Sequence, residues 1–182
     1  MKKFLFTIGM ALFCGTAFAQ NSAIFKAQAL EQKGDIAGAA VLLEEALKHP
    51  KTTKFAEMYH QVAEDNAKLF NPELMKAAQG LPFDTAAFCM HLDKMVDFYT
   101  KSHEADVKPD EKGRVKSKFV AQNKSRMLTM VDYYNYAAMF QYQNHDTAQA
   151  ISYFEKYLKF PNNVVFPGRF GWFQGYCREN VD

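Results

Sequence analysis

The chain has 182 residues, of which 22 are basic, 20 are acidic and 48% are hydrophobic. Such a length is enough for one domain with a sizeable buried core, which does not need disulfide bonds to be stable. The near balance of charge argues against general affinity for nucleic acid, which depends on excess positive charge.

Residues 1–19 have the three parts of a secretory signal. Two lysines begin it, an apolar run of ten residues follows, and a small-x-small motif ends at Ala19. The apolar run is too short for a membrane-spanning helix, which needs about 20 residues. We expect cleavage after Ala19 and a periplasmic or secreted protein without an integral membrane segment. Cys14 follows the bulky Phe13, which disfavours lipidation.

Cleavage would remove two lysines and no acidic residue. The mature chain from Gln20 would then carry 20 basic and 20 acidic residues. The basic character of the full chain therefore comes from the signal, and we expect no nucleic-acid partner.

One stretch of the chain occurs twice, 111 positions apart. Residues 35–50 and 146–161 align without a gap and are identical at seven of sixteen positions. Each copy begins with an aspartate, which can cap a helix, and ends with a proline, which stops one. Between these ends the apolar residues recur at helical spacing, so each copy is predicted to be an amphipathic helix. The identical pairs are Asp35/Asp146, Ala37/Ala148, Ala39/Ala150, Glu44/Glu155, Leu47/Leu158, Lys48/Lys159 and Pro50/Pro161.

A helical segment precedes each copy, over residues 22–33 and 126–143, with a short turn between. A helix, a tight turn and a capped second helix with an early alanine and a closing proline resemble the tetratricopeptide repeat. In the second copy His145 stands where the turn glycine is usual, and Tyr157 replaces a small residue. The matching positions are Gly34, Ala39, Leu43, Ala46 and Pro50 in the first copy, and Ala150, Phe154 and Pro161 in the second.

The resemblance implies an all-α fold, a superhelical array of α-hairpins over residues 20–161. It also implies a scaffold that binds a protein partner, with no catalysis and no cofactor. In that family the first helix of each hairpin lines a concave groove for extended peptides. Carried onto this sequence, the groove positions are Asp132, Asn135, Met139 and Tyr142 in the second unit, and Ile24, Gln28 and Glu31 in the first.

The middle of the chain is predicted to add three helices and a loop. Residues 53–70 carry one apolar stripe, and Pro72 is expected to open a separate short helix over 72–79. A longer helix should cover residues 85–105, and residues 107–113 read as a loop. Pairing the helix at 53–70 with a later one would complete a divergent hairpin.

A basic segment follows the loop, and apolar residues keep helical spacing through it. A basic stripe on a helix suits an acidic partner or lipid headgroups. We favour a solvated helix face instead, because the apolar stripe here explains core packing without any membrane. The basic residues are Arg114, Lys116, Lys118, Lys124 and Arg126.

Residues 162–182 form an irregular tail rich in aromatic residues and glycine, unlike the polar cap that usually ends a repeat array. Two interpretations stay open: the array continues in a longer protein, or the tail comes from a shifted reading frame.

We find no catalytic, cofactor or metal motif. Glu57-x-x-His60 has the spacing of a di-iron ligand pair, but no second copy exists and a solvated face is expected. Cys89 is predicted to be a buried thiol, and whether it pairs with Cys177 stays open.

A group of aromatic residues at positions 133–142 is predicted to be partly core, with Tyr134 and Phe140 inside. Exposed aromatic residues there would also suit the alternative function, a glycan- or ligand-binding accessory of an outer-membrane uptake system.

Overall fold

A computed structural model describes residues 22–50 and 52–166, and within these ranges it contains seven α-helices and no strand. The predicted all-α class is confirmed. The signal at 1–19 and the tail beyond residue 166 lie outside the described residues. The helices are α1 (22–32), α2 (Ile36–Leu47), α3 (Phe55–Ala78), α4 (Thr85–Asp106), α5 (Val120–Leu128), α6 (Val131–Gln143) and α7 (Thr147–Lys159), followed by a 3₁₀ turn, Phe160–Asn162.

Three helices begin at aspartates, and the two repeated helices do so as their sequences predict. The carboxylates of Asp35, Asp84 and Asp146 each accept a hydrogen bond from the backbone N–H three residues further on, at 2.9, 2.9 and 3.0 Å. A side-chain acceptor at this position satisfies an amide that the helix itself leaves without a partner. The start of both repeated helices is therefore set by the chain's local sequence.

The turns before α2 and α7 have the same hydrogen bonds. Gly34 and Asp35 donate to the carbonyls of Glu31 and Leu30, and the residues 111 positions later repeat this pattern. In both turns one residue has a positive φ, 84° at Gly34 and 62° at His145. The two copies therefore form the same helix–turn–helix unit.

The predicted break before Pro72 is wrong. α3 is one helix of 24 residues with Pro72 inside it. Proline removes one helical hydrogen bond, but Pro72 is exposed, so water can reach the carbonyl that loses its partner. Phe70, before the proline, is buried, and Leu74, after it, packs against the same core. These contacts keep the helix continuous on both sides of Pro72. Gly80, with φ 68°, follows the end of the helix.

The segment between α4 and α6 also differs from prediction. Residues 114–119 are not helical, so the expected basic helix does not extend over them, and the helix expected at 126–143 is divided between α5 and α6. Asp106, buried at the end of α4, accepts hydrogen bonds from the backbone N–H groups of Lys118, Phe119 and Val120 at 2.6–3.1 Å. A residue distant in sequence thus caps α5 and decides where it starts.

The core consists of two clusters. The first joins the α1–α2 hairpin to the beginning of α3, and the second joins the rest of α3 to α4, α5, α6 and α7. Phe98 packs against both clusters.

The segment after α7 also contributes to the core. Val165 and Phe166 are buried in the second cluster, so packed chain continues past Pro161. Among the helices of the described ranges, none combines the length and hydropathy needed to cross a bilayer.

Candidate binding surfaces

The groove positions predicted on α6 form one accessible stripe. Asp132, Asn135, Met139 and Tyr142 are spaced by three, four and three residues, which places them on one side of a helix. Asp132 is exposed and Asn135 is half-buried. The side chains of Met139 and Tyr142 are 45% and 67% exposed. Ala137, on the opposite side of α6, is buried, so this helix offers its groove stripe while its other side packs.

The groove positions predicted on α1 are less open. Gln28 is exposed, but the half-buried Glu31 accepts a hydrogen bond from Gln61 at 2.8 Å and forms an ion pair with Lys68. Ile24 is buried in the first cluster, so its prediction as a groove residue is wrong. The reason is that α3 packs beside α1, which the repeat pattern alone did not show. The groove role of the other six residues stays a prediction.

The apolar side of α7 is open where the same side of α2 is covered. Leu43 of α2 is fully buried, whereas Phe154, 111 positions later, is 41% exposed. Ala40 is 4% exposed, whereas its counterpart Ile151 is 55% exposed. Leu158, one turn beyond Phe154, is 62% exposed. We call Ile151, Phe154 and Leu158 the open stripe of α7.

The difference in exposure between the equivalent sides of α2 and α7 follows from what packs against each helix. In the first hairpin, Leu43 packs in one cluster with Met58 and Val62 of α3. No α-helix follows α7 in the part of the chain that the structure describes. The alignment of the two copies already contained this signal, because it pairs Phe154 with a residue that must be covered in the first hairpin.

A polar network lies inside the molecule where α3, α4 and α5 meet. Nδ1 of His60 is 2.7 Å from Oδ1 of Asn123, and the amide of Asn123 donates to Ser102 Oγ at 2.9 Å. Ser102 donates to the carbonyl of Ala56 at 2.9 Å, and the ring of Phe119 stacks on His60. All three side chains of the network are buried.

The expectation of a solvated His60 is therefore wrong. Its neighbour one turn on, Glu64, accepts hydrogen bonds from the Tyr99 hydroxyl and the Arg126 guanidinium. Within residues 22–50 and 52–166 no group of three or more His, Cys, Asp or Glu side chains is arranged to hold a metal ion. The role of His60 is to satisfy buried polar groups, which otherwise cost stability.

Asp65 is a buried carboxyl group with an incomplete set of partners. Its Oδ1 lies 3.1 Å from Lys68 Nζ and 3.4 Å from Gln61 Nε2, while Oδ2 has no hydrogen-bond partner. Burial raises the pKa of Asp65 to about 6, and the negative charge of Glu31 acts in the same direction. Lys68 opposes this shift but does not cancel it.

Cys89 is buried, as predicted, and its sulfur accepts a hydrogen bond from Gln141 Nε2 at 3.3 Å. Burial raises the pKa of its thiol, which disfavours the reactive thiolate.

Near Cys89, Asp93 of α4 accepts hydrogen bonds from Tyr153 at 3.0 Å and Lys156 at 2.7 Å, which join α4 to α7. Tyr134 is buried and Phe140 packs against the core, as predicted. Cys177 lies outside the described residues.

A cleft of about 690 Å³ opens between the start of α3, the end of α4 and the loop before α5. Its walls carry several lysines and three aromatic rings. Lys116 and Lys118, which the sequence placed on a helix, reach it from the loop. The sequence therefore identified two of the cationic residues but not the cleft, because the other walls come from distant parts of the chain.

Comparison of the chain with models of protein families, with curated proteins and with solved structures finds no match in any of the three.

Proposed function

We propose that the protein is an exported scaffold of stacked helical hairpins, similar in arrangement to a tetratricopeptide array, which binds another protein in the cell envelope and performs no catalysis itself. The observation that carries the proposal is the open stripe of α7. An exposed row of large apolar side chains on one helix face is typical of a surface that a partner covers.

The partner segment proposed for this stripe is an amphipathic helix of another protein. The first hairpin provides the argument, since α3 covers the equivalent face of α2 with Met58 and Val62, two residues one turn apart. A helix with apolar residues at the same spacing would fill the space beside Phe154 in the same way. The groove stripe on α6 offers a second surface for the same partner.

The test uses a photoreactive amino acid at position 154 in the source cell envelope, with position 41 as a control. Val41 is also apolar and 58% exposed, but it lies on α2. We expect position 154 to cross-link to one protein, at residues that form an amphipathic helix. Binding of that purified partner should then weaken when Phe154 and Leu158 are changed to serine, and should not weaken with Val41→Ser.

Other outcomes would show that the open stripe binds something other than a partner protein. Cross-linking of position 154 to a second copy of this chain, together with dimerisation that the serine changes abolish, would replace the proposal by self-association. Equal binding of the partner by the serine variant would exclude the open stripe. Saturable binding of an oligosaccharide in calorimetry, without any protein partner, would favour the ligand-binding alternative. Substitutions at Asp132, Asn135 and Tyr142 test the groove stripe in the same assay.

A further inference from the structure

We propose that the cleft between α3, α4 and the loop before α5 binds an organic anion that carries two or more negative charges on an apolar body. The cleft is separate from the open stripe and the groove stripe, and it implies a ligand rather than a protein partner. Its volume of about 690 Å³ lies within the range of small-molecule sites, roughly 300–1,000 Å³.

The walls of the cleft are cationic. Five lysines line it, at positions 54, 101, 108, 116 and 118, against three carboxyl groups, those of Glu57, Glu104 and Asp106. One of these carboxylates is already engaged, since Asp106 accepts three backbone N–H groups of the loop. The excess of lysine is local, because the chain beyond the predicted signal carries equal numbers of acidic and basic residues.

Three of the lysines have no acidic partner within the described ranges. Lys101 is paired with Asp97 at 2.6 Å, whereas no ion pair involves Lys108, Lys116 or Lys118. Three like charges around one cleft repel each other, and an anion placed between them would relieve that repulsion. Two or more negative charges on the ligand therefore match the site better than one.

The apolar part of the lining comes from Phe55, Tyr59 and Phe119. Phe55 and Tyr59 stack at a centroid distance of 5.9 Å, and Phe119 is held by its stacking on His60 at 4.5 Å. An inorganic anion would leave this surface unused. Lysine ammonium groups beside aromatic rings suit a phosphate monoester or a dicarboxylate with a ring or chain attached.

The loop wall is fixed in place by the fold. Asp106 anchors the backbone of residues 118–120, and Ser102 ties α4 to the carbonyl of Ala56 at the start of α3. The lysine side chains themselves project from this fixed backbone and are exposed. The backbone of the site is therefore in place before any ligand arrives, which leaves only the lysine side chains to be ordered on binding.

The test is calorimetry of the purified protein with 1-naphthyl phosphate, a doubly charged anion with an apolar body. We expect saturable binding that weakens with added salt, and much weaker binding of inorganic phosphate and of neutral 1-naphthol. The variant Lys116→Gln/Lys118→Gln should bind about tenfold more weakly. The control Lys26→Gln/Lys33→Gln removes the same charge from exposed positions on α1 and in the turn after it, and should stay within about twofold of the unchanged protein.

Several results would overturn the proposal. One is the absence of saturable binding of 1-naphthyl phosphate. The others are an equal loss of affinity in the control variant, and an unchanged affinity in the cleft variant. If the double variant fails to fold by circular dichroism, Lys108→Gln takes its place. Competition by phosphatidic acid vesicles, but not by phosphatidylcholine vesicles, would identify the anion as a lipid headgroup. Binding that vesicles do not displace would identify a free organic phosphate.

Discussion

His145 takes in the second hairpin the backbone conformation that Gly34 takes in the first, with φ values of 62° and 84°. A residue with a Cβ atom is strained there, by about 1 kcal/mol or more, whereas glycine is not. The second hairpin therefore keeps the turn of the first hairpin, although its residue at this position is strained there.

The first prediction follows from this relationship. His145→Gly should raise the free energy of unfolding by about 1 kcal/mol, because glycine adopts the left-handed conformation without strain. His145→Ala is the matched control and should bring no such gain, since alanine keeps a Cβ atom. Denaturant unfolding followed by circular dichroism measures both. An equal gain from both substitutions would mean that the imidazole, and not the backbone, is unfavourable.

The second prediction concerns the two copies of the repeated helix. Leu43→Ala should cost about 2–5 kcal/mol, because it opens a cavity in the first cluster. Phe154→Ala removes a larger side chain at the equivalent position but should cost less than about 1 kcal/mol, because much of that side chain is already in water. Thermal unfolding of the two variants gives the comparison. A similar cost at both positions would mean that other parts of the chain cover the open stripe.

The third prediction concerns pH. The pKa of Asp65 is raised in the folded protein to about 6, from an ordinary value of 3.8 for an aspartate side chain. The folded state therefore holds more protons than the unfolded state between about pH 4 and pH 6, and stability from this group falls as the pH rises through that window. Asp65→Asn cannot ionise, so its stability relative to the unchanged protein should rise with pH, by up to about 3 kcal/mol.

A control of opposite sign is available for this prediction. The N–H and guanidinium groups of Arg114 hold the pKa of Asp110 below its usual value. Asp110→Asn should therefore lose stability relative to the unchanged protein as the pH rises. Urea unfolding at intervals from pH 3.5 to pH 7 measures both variants. A flat or falling difference for Asp65→Asn would contradict the raised pKa.

The fourth prediction concerns the buried network. Asn123→Ala should cost about 3 kcal/mol, because it leaves His60 Nδ1 without its partner and Ser102 Oγ without the amide that donates to it. The control is Gln122→Ala, a neighbouring exposed position on the same helix, which should stay within about 0.5 kcal/mol. Chemical denaturation distinguishes them. Equal effects would mean that helix propensity, and not the network, sets the cost.

The fifth prediction concerns the proline inside α3. Pro72→Ala should stabilise the protein by about 2 kcal/mol, since a proline in a helix interior costs about 3 kcal/mol and stiffening of the unfolded chain offsets up to about 1 kcal/mol of that. Asn71→Ala, at the adjacent exposed position, should change stability by no more than about 0.5 kcal/mol. Loss of stability in Pro72→Ala would show that the proline shapes α3 to fit the core.

The sequence was sufficient for features that depend on a few neighbouring residues. The caps at Asp35 and Asp146 lie where the pattern placed them, because a carboxylate three residues before an amide acts within one turn of chain. The small residues Ala39 and Ala150 are buried, as a repeated contact between two helices requires. The all-α class follows from the same local periodicity.

Contacts between distant segments decided the rest. α3 continues through Pro72 because residues on both sides of the proline pack on one core, and Asp106 decides where α5 begins. Tertiary packing buries His60 beside Phe119, which lies 59 positions along the chain. It also leaves Phe154 open where it covers Leu43, although the two residues have the same place in the repeat. Periodicity predicts which face of a helix is apolar, but burial of that face depends on whether another segment lies against it.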